Sequence, residues 1–398
     1  MAQMEELPPE ILSMILSYLD TDPPFPQLVH DYPELIVTHY GFPIGPHVDS
    51  SLLEASAVSH RWRQICLPML LRHMKWNLQA RSSYNDQGEP DQGLLNFLRD
   101  QDSDCISAIV EGLTVIALEN PWPCDVFKPP DNLLERTKKT WSSIFSIIDP
   151  RRVTFIGDPS VIAILIGLGP LPGAAWWMFD LSKQVLQLSR SSRLQPQPLP
   201  SKSPSGPDIF SLRPWTEFLL NEGSFLENYT TYEYHENFPP CFLEKIFGAY
   251  PDPPPLPHLE KFSYISIFPT GAHIKHAVIP FIPGVPTLYM QMAPRFLDFS
   301  RMLGKSQMGH LDLNDPWMEG HDAAVAIRLA LFDKDHRLAD TWKHVRRFET
   351  DGEHSRTLFD TVREGIVDGS ISDVNYREWR VLEDSIHGDI LVRSHRHQ

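Results

Sequence analysis

Apolar residues near the amino terminus are spaced for an amphipathic helix. In the segment LPPEILSMILSYLD, Ile11, Ile15 and Leu19 recur every fourth residue and form one stripe. The pattern predicts a helix from about Pro9 to Leu19, and a proline is tolerated at its first position because the missing N–H has no helical partner there. The helix has more apolar surface than a segment of this length can cover by folding on itself.

More helices are predicted after an irregular interruption. Residues 21–50 contain six prolines and no clean period, so they are expected to form a loop inserted into the helical unit. A second helix is predicted to begin at Ser50 or Ser51, since serine is a good N-cap. A third is predicted to pass through Trp62 and to end at Pro68, and the segment LPMLLRHMKW supplies a fourth.

The rest of the chain alternates strand-like and helical runs. Residues 81–104 are polar and are predicted to be a linker, and 189–208 are rich in Ser and Pro and are expected to be a disordered or surface loop. A helix is predicted at Leu133–Ile148. The predicted strands are residues 113–118, 152–157, 184–189, 261–268, 287–292, 310–315 and 346–351, with one more candidate at 228–236. The expected fold class is therefore an α+β multidomain chain, with an all-helical unit at 1–80 and an α/β domain at 105–398.

The recurrence of strand and helix at intervals of roughly 20 to 45 residues is typical of a solenoid. The L-x-x-L-x-L pattern of leucine-rich repeats is met loosely, for example by Val110, Leu113 and Val115, although the asparagine that normally follows is absent. The expectation is an irregular α/β repeat of leucine-rich-repeat character, and a non-repeating α/β fold is the alternative.

One segment imitates a membrane span, because no charged residue lies between Asp158 and Asp180. Pro170, Pro172 and three glycines interrupt it, and acidic rather than basic residues flank it. A buried helix followed by a turn is predicted instead. The same glycines, in GLGPLPG, do not have dinucleotide-loop spacing.

Composition narrows the classes of partner. The chain has 398 residues and a formal net charge of −16, which disfavours binding to a phosphate backbone. Its four cysteines are far apart, which predicts neither a zinc site nor a disulfide framework and fits a reducing compartment. No signal peptide is recognisable. We therefore expect a cytoplasmic or nuclear protein with no nucleic-acid or membrane partner.

The amino-terminal residues resemble the F-box family. That family has Leu-Pro, a glutamate and alternating apolar residues, then a Leu, a Val followed by basic residues with Trp-Arg, and a closing Pro-Leu. The matching positions here are Leu7-Pro8, Glu10-Ile11, Ile15, Leu19, Leu53, Val58, His60-Arg61-Trp62-Arg63, Pro68 and Leu70. Two features depart from the family: Ser59 and His60 replace the usual cysteine, and residues 21–50 separate halves that are nearly contiguous in the family.

The resemblance implies a division of labour. The amino-terminal helices would bind a Skp-family adaptor, and through it a cullin, in a cullin–RING ubiquitin ligase, and the carboxy-terminal domain would bind a protein substrate. The residues expected to divide between the adaptor interface and the helical core are Leu7, Pro8, Ile11, Ile15, Leu19, Leu53, Val58 and Trp62. On a leucine-rich repeat, the substrate-facing side chains would be Thr114, Thr154, Gln187, Ser263, Tyr289, Asp312 and Glu349. The insertion at 21–50 is either a surface bulge or a block to the adaptor.

Ubiquitin transfer is performed by other subunits of such ligases, so the chain is expected not to be an enzyme and to need neither cofactor nor metal. Two alternatives stay open. One is a scaffold that binds the Skp-family adaptor without serving a ligase. The other is a metal-dependent hydrolase that uses the histidine and acidic residues of HLDLNDPWMEGHD, although a solvated strand and turn is the favoured explanation of that cluster.

Overall fold

Three helices at the amino terminus pack around a small core of their own. The computed structural model describes residues 6–19, 29–30, 33, 50–78, 92–100, 109–118, 121, 129–171, 183–191, 209–230, 242–248, 256–294, 312, 314–332, 342–350, 379–384 and 388–393. The first three helices are α1 (Pro9–Ser17), α2 (Ser50–Val58) and α3 (His60–Arg72). Their shared core contains Leu12, Leu16, Leu52, Ala55 and Cys66. The predicted starts of α1 and α2 are confirmed.

The predicted end of the third helix is wrong, because α3 continues through Pro68 to Arg72. A proline inside a helix costs about 3 kcal/mol. Cys66, before the proline, is buried in the amino-terminal core, and Leu71, after it, is buried in the main core of the protein. Burial on both sides of Pro68 offsets that cost. The predicted fourth helix is wrong as a separate element: residues 67–72 are helical but belong to α3, and His73–Asn77 is a strand in which buried and exposed side chains alternate.

All ten strands of the described chain belong to one sheet. The strands are β1 (His73–Asn77), β2 (Gly112–Ala117), β3 (Arg152–Gly157), β4 (Gln184–Ser189), β5 (Glu217–Ser224), β6 (Lys261–Ile267), β7 (Thr287–Gln291), β8 (Arg347–Thr350), β9 (Trp379–Asp384) and β10 (Gly388–Arg393). Their order in the sheet is β1-β2-β3-β4-β5-β6-β7-β8-β10-β9. From β1 to β8, strands that are consecutive in the sequence are therefore neighbours in the sheet. Only β4 and β10 run against the other strands.

The remaining helices pack against one face of this sheet, which we call the helical face. They are α4 (Gln92–Asp100), α5 (Asp131–Ile147), α6 (Pro159–Leu165), α7 (Gly271–His273) and α8 (Asn314–Phe332), and α7 continues into a π-helical turn (Ile274–Val278). The main core lies between these helices and alternate residues of the strands. Trp141 of α5 is central to it, with its ring 5.4 Å from Phe155 of β3 and its indole N–H donating to the Leu165 carbonyl at 2.6 Å. The chain is thus α+β, as expected.

Six predicted strands are confirmed to within one residue at each end, and those at 152–157 and 184–189 match completely. The predicted strand at 310–315 is wrong, because Asp312 lies outside any strand and α8 begins at Asn314. The candidate at 228–236 is wrong where it is described, since Asn228–Thr230 is a 3₁₀ turn. Strands β1, β5, β9 and β10 were not predicted.

Three further predictions concern segments between the elements. The apolar run after Asp158 is a buried helix, α6, followed by a turn in which Gly167 and Gly169 have positive φ angles of 84° and 76°, so this prediction is confirmed as far as Leu171. Part of the predicted linker at 81–104 is instead helix α4, because its apolar side chains, among them fully buried Leu98, pack into the main core. Residues 192–208 of the predicted surface loop lie outside the described residues.

Two glycine substitutions test this packing. A Cβ added to Gly157, at the end of β3, would lie 2.0 Å from the Ala117 carbonyl oxygen, whereas at Gly320, inside α8, it would meet nothing within 4 Å. We expect Gly157→Ala to destabilise the protein by about 1–3 kcal/mol. Gly320→Ala should stabilise it by about 0.5–1 kcal/mol. Chemical denaturation measures both, and equal effects would contradict the packing at Ala117.

Candidate interaction surfaces

The amino-terminal helices expose an unusual amount of apolar surface. In the described chain eight large apolar side chains are exposed, and five of them lie on α1, its end and α2. These five are Ile11, Met14, Tyr18, Leu53 and Val58, and we call them the amino-terminal apolar face. Leu53 is 62% exposed, Val58 60% and Tyr18 84%. So many exposed large apolar side chains on two short helices make this region a candidate interaction site.

The helical periods explain how core and surface are separated. On α1, Leu12 and Leu16 are one turn apart and fully buried, while Ile11 and Met14 lie on the other side of the helix and are exposed. On α2 the buried Leu52 is followed directly by the exposed Leu53. The surplus apolar surface is therefore a separate face of the helices and no part of their own core.

The predicted adaptor-binding residues lie outside the buried set. Pro8, Ile11, Leu53 and Val58 are exposed, and Leu7, Ile15, Leu19 and Trp62 are partly buried. The core residues Leu12, Leu16, Leu52, Ala55 and Cys66 were not among those predicted. The prediction also missed Met14 and Tyr18, which the same helical period would have indicated.

Polar contacts hold the two halves of the motif together. The Arg61 guanidinium, on α3, donates a hydrogen bond to the Leu7 carbonyl, 54 residues earlier in the chain. Ser59, one of the positions that depart from the F-box pattern, caps α3 by accepting a hydrogen bond from the Trp62 N–H at 3.3 Å. The Arg63 guanidinium donates to the Ser56 carbonyl at 3.4 Å. These contacts keep α1 and α2 in place beside α3.

The second candidate surface is the face of the sheet opposite the helical face, which we call the second face. Six of the seven predicted substrate-binding residues form one continuous row there. Thr114 is in register with Thr154, Thr154 with Gln187, Ser263 with Tyr289 and Tyr289 with Glu349, and Leu219 of β5 completes the row between Gln187 and Ser263. Alternation of side chains in each strand puts all of them on the same face.

Asp312 is the exception, because it belongs to no strand. Its carboxylate accepts hydrogen bonds from the backbone N–H and the side-chain amide of Asn314, at 2.9 and 3.0 Å, where α8 begins. The row itself is only partly accessible, since Thr154, Ser263 and Tyr289 are buried while Thr114, Gln187 and Glu349 are intermediate.

On the second face, the two rows of side chains on either side of the predicted row differ in polarity. Toward the amino-terminal ends of the parallel strands, the next row is polar and contains Arg152, Ser189, Glu217, Lys261, Thr287 and Arg347. Lys261 and Arg347 both pair with Glu349, at 2.9 and 2.5 Å. Toward the carboxyl ends, the row is largely apolar and buried, with Ile116, Ile156, Val185 and Ile265 among its members.

A cavity of about 460 Å³ lies away from both surfaces, between α8 and the segment 271–279, which contains α7 and the π-helical turn. Ile279 and Leu329 belong to its apolar lining, and Lys275, Glu319 and Asp322 are polar groups in it. The Glu319 carboxylate accepts a hydrogen bond from the Gly271 N–H at 2.7 Å. In the part of the chain that the structure describes, no group of three or more His, Cys, Asp and Glu side chains is arranged to hold a metal ion.

No family model, curated protein or solved structure matches the chain. Within the described ranges, none of the helices combines the length and apolar character needed to cross a bilayer.

The buried cysteine of the amino-terminal core provides a chemical test of that core. Burial raises the pKa of the Cys66 thiol, and the residue is 0% exposed. Because the thiolate is the reactive form, the side chain should not react with iodoacetamide at pH 8 in the native protein. Mass spectrometry of the Cys66 peptide should show alkylation only after denaturation. Rapid native alkylation would contradict the packing of α1, α2 and α3.

Proposed function

We propose that this protein is the substrate-recognition subunit of a cullin–RING ubiquitin ligase. In this proposal its amino-terminal helices bind a Skp-family adaptor, and its sheet domain binds a protein substrate. The carrying observation is the amino-terminal apolar face: residues at F-box motif positions, such as Leu53 and Val58, leave most of their surface in water. The F-box resemblance names the partner that would cover them.

Energetics support a partner at this face. Burying the apolar surface of a large side chain contributes about 1.5–3 kcal/mol. Several such residues on two neighbouring helices, held in place by α3, present a rigid group of anchors of the kind that dominates protein interfaces. The polar contacts of Arg61 with Leu7, just before α1, and of Arg63 with α2 mean that little conformational order has to be gained on binding.

The insertion at 21–50 is consistent with this proposal at its described residues. Val29 is buried against the sheet, in the same cluster as Ile116 and Ile265, and its carbonyl accepts a hydrogen bond from Asn221. At that point the insertion contacts the substrate domain and not the amino-terminal apolar face. This favours a harmless insertion over one that blocks the adaptor.

The proposed substrate domain has features of a leucine-rich repeat and departures from one. Strands that neighbour each other in sequence also neighbour each other in the sheet, with helices on one face, as in a solenoid. The antiparallel β4 and the terminal pair β9 and β10 break the repeat. We assign substrate contacts to the second face, at the accessible members of the predicted row, Thr114, Gln187 and Glu349.

A scaffold that binds the adaptor without presenting a substrate is a second candidate, because Thr154, Ser263 and Tyr289 of that row are buried. Tagged protein expressed in eukaryotic cells should recover both the adaptor and a cullin if it serves a ligase. Recovery of the adaptor alone would favour the scaffold.

A pair of surface substitutions tests the adaptor interface. Leu53 and Met318 are exposed to a similar extent, 62% and 66%, but Met318 lies on α8 of the sheet domain. Neither Leu53→Arg nor Met318→Arg should change stability by more than about 0.5 kcal/mol. Loss of a central anchor costs about 2 kcal/mol or more of binding, so Leu53→Arg should weaken adaptor affinity by at least about tenfold.

Binding of purified adaptor is measured by biolayer interferometry, with thermal denaturation as the control for folding. Met318→Arg should bind as the unmodified protein does. Equal binding by all three proteins would remove the adaptor interface from the amino-terminal apolar face.

A further inference from the structure

A short piece of the insertion is held on the second face of the sheet by side-chain amides. Asn221 of β5 donates from its amide to the Val29 carbonyl at 2.8 Å. Gln291 of β7 donates to the next carbonyl, that of His30, at 3.1 Å. The two amides come from residues far along the chain, and they bind the consecutive carbonyls of Val29 and His30, which lie in a turn.

Both amides are oriented by contacts within the sheet domain. The Asn221 side-chain oxygen accepts the Gly223 N–H at 2.9 Å. The Gln291 side-chain oxygen accepts the Tyr289 hydroxyl at 2.9 Å, and its amide nitrogen also donates to the Ala293 carbonyl at 3.0 Å. Both side chains are fully buried. With their oxygens engaged in this way, the amide N–H groups are fixed toward the turn before any ligand binds.

The side chains of the turn are held as well as its backbone. Val29 is 2% exposed and belongs to the same buried cluster as Ile116, Ile156, Val185 and Ile265 of the sheet. The His30 ring packs edge-on against Tyr289, with 5.1 Å between ring centroids. The apolar cluster, the aromatic ring and the two backbone contacts together fit a β-branched aliphatic residue followed by a planar ring.

Contacts of this kind are those of a peptide-binding site. Fixed polar groups bind the backbone of a peptide whatever its sequence, and adjacent pockets select its side chains. Buried carbonyls need donors, and here both donors are side chains whose orientation is fixed by other contacts within the sheet domain. We propose that this part of the second face is a binding site for a peptide turn with an aliphatic residue followed by an aromatic or imidazole ring. Val29–His30 is its tethered internal occupant.

This proposal extends the proposed ligase function and rests on it in one respect. The external peptide that competes with Val29–His30 is taken to belong to a substrate of the ligase. Such a substrate displaces Val29–His30 from the sheet. The occupant belongs to the same chain as the site, so it competes as a tethered ligand with a high effective concentration. An external peptide is expected to bind weakly until the internal turn is weakened.

Releasing Val29–His30 from the second face of the sheet tests the proposal. The probe is a fluorescein-labelled peptide with the sequence of residues 25–34, FPQLVHDYPE. A carboxylate at position 29 has no charged partner in the apolar cluster, so Val29→Asp in the full chain should release the turn. Fluorescence anisotropy should then show the peptide binding about tenfold or more tighter to Val29→Asp than to the unmodified protein. The same peptide with aspartate in place of its valine should not bind.

A second set of variants keeps the result interpretable. If Val29→Asp unfolds, as thermal denaturation would show, Val29→Ser removes the apolar contact more gently and should give a smaller gain in peptide binding. Adding Asn221→Ala and Gln291→Ala to whichever variant folds should abolish the gain. Folded Val29 variants that bind the peptide no better than the unmodified protein would overturn the proposal and make the turn a permanent part of the fold.

Adaptor affinity, measured in parallel, separates this proposal from the function on which it rests. The Val29 variants should retain the adaptor, while Leu53→Arg should lose it. If Leu53→Arg keeps the adaptor but the Val29 variants gain peptide binding, the ligase assignment fails and the peptide site stands.

Discussion

Helix α3 belongs to two cores at once, and the rest of the structure depends on this arrangement. Cys66 lies in the core shared with α1 and α2, and Leu71 lies in the core between the sheet and its helices. The chain then enters β1 without a spacer. The amino-terminal helices are thus joined to the sheet through a continuous rigid element, and a partner bound to them would be held in a defined direction relative to the sheet.

This arrangement also determines which apolar groups stay outside. The face of α3 that continues toward the sheet is already occupied, and Leu12, Leu16 and Leu52 fill the small core. The outer sides of α1 and α2 have no further element of the described chain against them, so Leu53 and Val58 are left mostly in water. This exposed apolar surface follows from the limited capacity of a small core.

The sheet has a corresponding asymmetry. Its helical face is a closed apolar core, while its second face changes from charged to apolar along the strands, from Lys261 through Ser263 to Ile265 within β6. The apolar end is where the insertion makes its described contact. Because the insertion lies between α1 and α2, the two candidate surfaces belong to one connected stretch of chain, which joins the sheet to the helices that we propose to bind the adaptor.

Buried polar groups explain why one strand of the sheet was not predicted. Strand β5, EFLLNEGS, contains Asn221 and Glu222, which are typical of turns and surfaces. In the folded chain Glu222 is fully enclosed, accepts a hydrogen bond from the Tyr264 hydroxyl and lies 2.8 Å from the His273 ring nitrogen. Partners from β6 and α7 are what make this polar residue compatible with a central strand.

What the sequence determined by itself was local and periodic. Alternation in the segments around Thr114, Thr154 and Gln187 located the strands and the side chains that share a face, because a strand has only two faces. Helical spacing located α1 and α5. Tertiary structure alone decided that α3 runs through Pro68, that HMKWN is a strand and that Val29 lies on the sheet. In each case long-range packing outweighs local preference, and residues far apart in sequence supply contacts that no local pattern records.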